Sequence, residues 1–361
     1  MRSFVKYISQ LFLEYLVITW ISFVALLQIF DLLANSEEIS KRFPGVISAL
    51  LTYSIWRIPE IATFVLPFAV LLALLFTLGR LERNNEIMAF KAAGAPYFFV
   101  LLAMIPSITA VAILHFLLID KMVPISLGYL DAHGLRIDKS DKTNEKDLLW
   151  RRDGNTIIRI KDTQEEGNML NNVTLFQRDE NGILRVKIDA QSAIYQAKDQ
   201  NWLLENVHFL TLQIGQEEHQ NWMETFEWQS ALTPSDFAQL SERPEGLNFN
   251  QISSYAFGEK TGPRPDYFYS TWFFRRLILP LSSFLMILLA APVAHSLQNR
   301  NRSLVYGIAS GFVLGFLYFI SDGLSLSLGE SGVLPPLMAA SIPILVFGSI
   351  GGLALIRAEG Y

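Results

Sequence analysis

The sequence predicts a polytopic α-helical membrane protein, six transmembrane helices in two groups of three, with an inserted all-β domain of the sandwich or jelly-roll kind. Three observations lead there. Apolar residues make up 51% of the 361 positions and charged ones only 17%, a balance that points to a membrane. Six runs reach the roughly 20 mostly apolar residues that a helix needs to cross a hydrocarbon core. Between 125 and 240 the chain turns polar and its apolar period changes to two, as in half-buried strands.

The six runs are 11–33, 54–79, 96–120, 274–297, 303–326 and 333–356. The first follows a short basic start, Arg2 and Lys6. It exceeds the 7–15 residues of a signal-peptide apolar region and is followed by no small-residue cleavage pattern, so it reads as a retained span. The second is the weakest, because Arg57, Pro59 and Glu60 interrupt its start and leave a clean apolar stretch only from Ile61 to Gly79. Its first turns are expected at the interface.

In the middle region, Leu184, Val186 and Ile188 alternate with Arg185, Lys187 and Asp189 just after the turn at 179–182, and Leu210, Leu212 and Ile214 alternate with Thr211 and Gln213. Ile158 and Ile160 with Arg159 and Lys161, and the aromatic segment Trp222 to Trp228, extend the set. The stretch 241–266, rich in Pro and Gly, reads as a connector with a short helix near 248–258. The expected organisation is therefore 1–124, a first membrane half; 125–240, the β-domain; 241–266, the connector; and 267–361, the second half.

Lysine and arginine in short loops orient the spans. Arg2, Lys6, Arg80, Arg83, Lys91, Arg300, Arg302 and Arg357 share one side when six spans are counted. That side, with both termini, is expected to be cytoplasmic and the β-domain to lie opposite. Lys41 and Arg42, in the loop after the first span, are the main exceptions.

Several chemistries find no support. A net charge of −5 supplies no basic field for nucleic acid. With no cysteine there is no thiolate nucleophile and no cysteine metal site. No Gly-x-x-x-x-Gly-Lys-Ser/Thr loop indicates ATP hydrolysis, the five histidines show no metal-ligand spacing, and no nucleophile elbow stands out. No catalytic centre, cofactor or metal is expected.

Gly79 to Gly94 forms a short amphipathic segment between the second and third spans, with Ile87 and Phe90 at helical spacing and Arg83 and Glu86 offering charge. It reads either as a solvated loop helix or as a docking helix for a cytoplasmic ATPase. Gly307, Gly311 and Gly315 at four-residue spacing place a stripe on one face of the fifth span, which allows close helix approach within the bundle or at a seam. Gln28, Asp31 and Asp322 are polar groups in apolar surroundings, where burial is expensive.

The Glu86-Ile87-Met88 to Ala93-Gly94 stretch, Leu149-Trp150-Arg151-Arg152-Asp153-Gly154-Asn155 before the β-domain, and Gly311-Phe312 to Asp322-Gly323 with Leu334-Pro335-Pro336 occur in one order. Together they resemble the LptF/LptG permease family of lipopolysaccharide export, its LptG branch most closely, over nearly the whole chain. The resemblance implies a non-catalytic permease half of an ABC transporter in the bacterial inner membrane. It would be paired with an LptF-like subunit and driven by two copies of an LptB-like ATPase, which uses the ATP. It would extract lipopolysaccharide from the inner membrane, and its periplasmic jelly roll would hand the substrate to LptC-like and LptA-like bridge proteins. It further implies that Glu86, with Arg83, Met88, Phe90 and Lys91, couples to the ATPase. A lateral gate would involve Gln28, Asp31, Gly307, Gly311, Gly315 and Asp322. The family pattern has lysine near Gln28, so Lys41, Arg42, Lys121 and Arg136 are the nearest candidates for lipid phosphates. The alternative is a membrane-anchored β-domain acting as a scaffold or binding module without transport; a lipid-modifying enzyme would need a convergent polar site that the sequence does not show.

Overall fold

The computed structural model describes residues 2–42, 45–92, 94, 97–135, 149–164, 167–179, 183–197, 201–211, 219–230, 232–234, 237, 244–258, 264–295 and 304–359. They form two compact units. One draws on Met1–Ile137, Pro244–Glu259 and Asp266–Tyr361, the other on Asp138–Arg243 and Lys260–Pro265.

The first unit is helical. Its elements are α1 (Arg2–Arg42), α2 (Val46–Arg83), α3 (Glu86–Ala92), α4 (Tyr97–Leu117) and α5 (Val123–Ala132), then α6 (Phe249–Ala256), α7 (Asp266–Ile278), α8 (Ser282–His295), α9 (Leu304–Glu330) and α10 (Pro336–Glu359). Among the described residues six segments are long and apolar enough to cross a membrane: Phe4–Lys41, Val46–Arg83, Tyr97–Ala132, Asp266–Ala294, Gly307–Glu330 and Pro336–Arg357. These are the six runs read from the sequence, mostly longer.

Two extensions differ from the sequence reading. The segment 34–42, expected as loop, continues α1: no Gly or Pro interrupts it, and Glu37 and Lys41 pair across one turn at 2.7 Å. Residues 125–132, expected at the start of the β-domain, are helical. A π-helical turn, Leu118–Met122, carries α4 into α5, with Pro124 directly after it.

α2 is the hub. Of its most apolar stretch 89% is buried, against 6% for α1, so it is apolar all round because it has neighbours all round. Leu66, Leu71, Leu74 and Leu78 meet Ile8 and Phe12 of α1, Met104 of α4, Met286 and Ala290 of α8 and Tyr318 of α9 in one cluster. Lipid tails are as apolar as these side chains, so what holds the helices together is close van der Waals fit, and small residues such as Ala69, Ala73 and Ala290 permit it. The returning helix α6 starts in a capping box, Asn248 Oδ1 accepting from Gln251 N at 2.9 Å and Gln251 Oε1 from Asn248 N at 2.8 Å.

The second unit is all-β. Its strands are β1 (Leu149–Asp153), β2 (Thr156–Ile160), β3 (Asp162–Gln164), β4 (Met169–Arg178), β5 (Leu184–Gln196), β6 (Asn201–Thr211) and β7 (His219–Trp228). All pair antiparallel in the order β1-β2-β4-β5-β6-β7, with β3 also on β4. The β4–β5 turn closes on Asp179, whose N–H donates to Ile183 O and whose Oδ1 accepts from Ile183 N, both at 2.9 Å. Leu212 and Ile214, read as strand, lie outside the described residues.

A crease crosses the three long central strands. Asn172, Gln191 and Asn206 share one register row, and both asparagines have left-handed backbones, φ 50° and 54°. The left-handed residues break the two-residue alternation. On β4 the buried positions step from Leu170 to Val173, on β5 from Ala190 to Ala193, and on β6 from Leu204 to Val207, all in one core with Trp202 and Phe237. Asn is among the few side chains that tolerate φ > 0, and a β-branched residue does not. Asn206→Val is therefore expected to destabilise the β unit by about 1–2 kcal/mol. Asn206→Gly should be close to neutral; thermal unfolding of the full chain followed by near-UV circular dichroism checks the order.

Candidate functional site

The helix α3 is held to the start of α1 and the end of α2. Asn85, at φ 58°, turns the chain sharply, and its carbonyl accepts from Ala89 N at 2.9 Å. Glu86, in the first turn of α3, accepts at Oε1 from Asn84 Nδ2 at 3.0 Å and from Tyr7 Oη at 3.2 Å. Its charge also suits the positive end of the helix dipole. Phe90 packs on Phe4 with ring centroids 3.9 Å apart, and Ile87 is buried in the bundle core. Met88 is 59% exposed and Arg83 is exposed, so one face of α3 grips the bundle and the other is presented outward. Lys91 belongs to α3, but its side chain lies outside the described residues. Tyr7 and Phe4, which the motif did not include, are the anchors.

Asp31 is the centre of a network on the inner face of α1. It accepts from Tyr53 Oη at 2.6 Å and from Asn35 Nδ2 at 3.2 Å, and lies 3.6 Å from Arg57 Nε. Arg57 also pairs with Glu60 one turn on. Two of the three residues read from sequence as interruptions of the second span, Arg57 and Glu60, thus pair with each other, and Arg57 also serves as the cation of Asp31. Asp322 accepts from Arg275 Nη2 at 2.7 Å, which joins α9 to α7. The Gln28 amide is buried without a hydrogen-bond partner among the described residues.

These networks border one cavity of about 420 Å³, lined on its polar side by Arg57, Glu60, Arg275, Asp322 and Glu245 and on its apolar side by Phe64 and Phe319. Charges facing low-dielectric surroundings call for partners; Arg57 pairs with Glu60 and Arg275 with Asp322, while Glu245 Oε2 is buried without a hydrogen-bond partner among the described residues. Arg275 and Glu245 were not singled out from sequence. The available signal was the set of opposite charges at the start of otherwise apolar helices.

The glycine stripe faces inward. A Cβ at Gly315 would stand 2.8 Å from Leu71 Cδ2 and 2.9 Å from Phe68 of α2, and one at Gly311 would overlap Leu75; Gly307 is buried too. The stripe thus lets α9 approach α2 within the bundle. The outward faces of α1 and α9 carry large apolar side chains instead, among them Ile21, Phe30 and Leu33 on α1 and Val313, Phe316 and Leu324 on α9, all exposed in the isolated chain. Of the cations read as phosphate candidates, Lys41 pairs with Glu37 at 2.7 Å and Lys121 with Asp120 at 3.1 Å, both largely exposed. Arg42 is in α1 with its side chain outside the described residues, and Arg136 lies outside them altogether.

Six apolar spans, four of which line a charged cavity, an inserted antiparallel sheet and a short helix clamped between two spans make up a multi-pass membrane protein. The family model for the lipopolysaccharide export system permease LptF/LptG matches residues 6–357, and the chain belongs to that family. It is 24% identical over 350 residues to the lipopolysaccharide export system permease protein LptG of Haemophilus influenzae, covering 95% of both chains. It is 22% identical over 329 residues to the protein of that name from Escherichia coli K12, covering 89% of each. Membership makes the chain a multi-pass inner-membrane permease subunit of the lipopolysaccharide export system, and these relatives carry the name of the branch that the sequence motifs favour.

Proposed function

We propose that this chain is an LptG-like permease half that pairs with an LptF-like subunit and is driven by two copies of a cytoplasmic LptB-like ATPase docked at α3. The chain itself hydrolyses no ATP and binds no cofactor. The observation that carries the reading is α3 itself. A helix of seven residues is too short to be stable alone in water, yet this one is fastened to two spans through Glu86, Ile87 and Phe90 while Met88 is left outward. A rigid helix so mounted transmits motion of a bound ATPase to α1, α2 and α4 together. With Arg80 and Arg83 beside it, this end of the bundle is assigned to the cytoplasm and the β unit to the periplasm, where it would pass substrate to LptC-like and LptA-like proteins. Lipopolysaccharide would enter laterally along the outward apolar faces of α1 and α9. Acyl burial at about 0.8 kcal/mol per methylene outweighs exposed ion pairs of under about 1 kcal/mol each, so Lys41, Arg42, Lys121 and Arg136 would orient the phosphates and not dominate the holding energy.

Affinity purification of the chain with its associated ATPase tests this. Glu86→Gln keeps an acceptor for Tyr7 and Asn84, so it should leave α3 in place and retain the ATPase. Glu86→Lys should lower co-purified ATPase and substrate-stimulated turnover on the order of tenfold, the scale of one lost charge-assisted contact. Wild type that brings down no ATPase under gentle extraction would overturn the reading.

A further inference from the structure

On the face of the sheet opposite its apolar core, a row of paired residues crosses five strands: Arg159 of β2, Thr174 of β4, Asp189 of β5, His208 of β6 and Trp222 of β7. Residues directly opposite across a ladder share a face, so these five side chains stand side by side. Arg159 Nη2 donates to Thr174 Oγ1 at 2.8 Å, Thr174 Oγ1 to Asp189 Oδ1 at 2.7 Å, and Lys187 Nζ lies 2.6 Å from Asp189 Oδ2. Burial pushes the Asp189 carboxyl up, but the hydrogen bonds from Lys187 and Thr174 outweigh it and hold the group below the usual carboxylate range. It is a fixed acceptor.

Beside this row the crease makes a hollow. The second row, Asn172, Gln191 and Asn206, closes a depression of about 310 Å³ together with Arg159, Asp189 and His208. That volume falls at the lower end of ligand pockets. Asn206 Nδ2 donates to Gln191 Oε1 at 2.7 Å, which orients both amides, and Asn172, Gln191, Asn206 and His208 are all exposed. The lining holds one cation and one anion plus three amides, an imidazole and a hydroxyl, so it offers alternating donors and acceptors with no net charge. One strand beyond, Trp222 is 54% exposed on the same face. An indole face carries partial negative charge and is flat and apolar.

We propose that this hollow binds a saccharide, the three amides and His208 reading hydroxyl groups while Trp222 stacks on the polarised C–H face of a neighbouring ring. A phosphate or an acyl chain fits it less well, because Arg159 is already engaged by Thr174, Lys187 by Asp189, and polar side chains outnumber Val173 and Ala190 in the lining. Resting on the permease reading above, the inference assigns the sugar part of lipopolysaccharide to the outer face of the β unit, separate from whatever holds its lipid.

The test uses the purified full chain in detergent and, as probe, the lipid-free oligosaccharide released from lipopolysaccharide by mild acid, titrated by calorimetry. Saturable binding is expected, unaffected by millimolar inorganic phosphate. It should weaken on the order of tenfold in His208→Ala and in Trp222→Ala, and in Asn206→Gly, which keeps the left-handed backbone and removes only the amide. Equal unfolding midpoints show that the variants are folded. No saturable binding by wild type, competition by phosphate, or unchanged affinity in all three variants would each overturn the inference. If oligosaccharide fails to bind while the ATPase still co-purifies, only the saccharide site falls; if the ATPase is absent as well, the permease reading falls with it.

Discussion

Arg276→Met is expected to destabilise the helical unit by about 3–5 kcal/mol, the range for removing one partner of a buried charge pair. Arg276 is 4% exposed and ties the returning chain to the bundle. Its Nη1 donates to Leu247 O at 2.5 Å and its Nη2 to Pro244 O at 3.2 Å, and it lies 3.8 Å from Asp120 Oδ1. Asp120, itself 5% exposed, accepts from Phe249 N at 2.6 Å. Methionine would keep the bulk but leave two carbonyls without their donor and the buried Asp120 carboxylate with only the exposed Lys121 as counter-charge. Adding Asp120→Asn removes the buried charge that has lost its buried partner, so the double variant should recover part of the loss. Unfolding in detergent measures the stability, and limited proteolysis of 244–258 shows whether this segment has come loose. A single variant within about 1 kcal/mol of wild type would show that the pair is not a structural anchor.

Gly351→Ala is expected to cost about 1–3 kcal/mol and to resist repair by trimming neighbours. The new Cβ would meet backbone, 2.7 Å from Leu288 O and 2.9 Å from Leu288 C, and α8 cannot yield there without moving as a whole. Gly311→Ala is the instructive contrast. Its Cβ would meet only the end of the Leu75 side chain of α2. Leu75→Ala opens that space, so the Gly311→Ala/Leu75→Ala pair should lose less than the sum of the two single changes. Unfolding midpoints of the four proteins in one detergent decide it. If Gly351→Ala is as easily rescued by Leu288→Ala as Gly311→Ala is by Leu75→Ala, the α8–α10 contact is side-chain packing and not backbone approach.

The sequence by itself determined the class. A span must keep about 20 apolar residues in a row and a half-buried strand must alternate, so 11–33, 54–79 and 184–189 announced their structure locally. The short helix near 248–258 was legible for the same reason, since Asn248 and Gln251 form its cap from neighbouring positions. The motif around Glu86 was legible as a helix of the right character, but not its mounting: Tyr7 is 79 positions away from Glu86, and no local pattern links them.

Only the tertiary structure decided which partner each polar group has. Arg57, an apparent interruption of an apolar run, becomes the cation of Asp31 and Glu60 once α1 and α2 pack together. Asp322, plausible at a membrane surface, is held by Arg275 from 47 positions away. The glycine stripe of α9 could have faced a seam or its own bundle; it faces α2, because Leu71, Phe68 and Leu75 fill the space a Cβ would need. The crease in the sheet rests on three residues from three strands falling in one row, a coincidence of registers that no single strand contains. Periodicity is a property of neighbouring residues and survives in sequence. Pairing of buried charges and close backbone approach join residues distant along the chain, and only the folded packing brings them together.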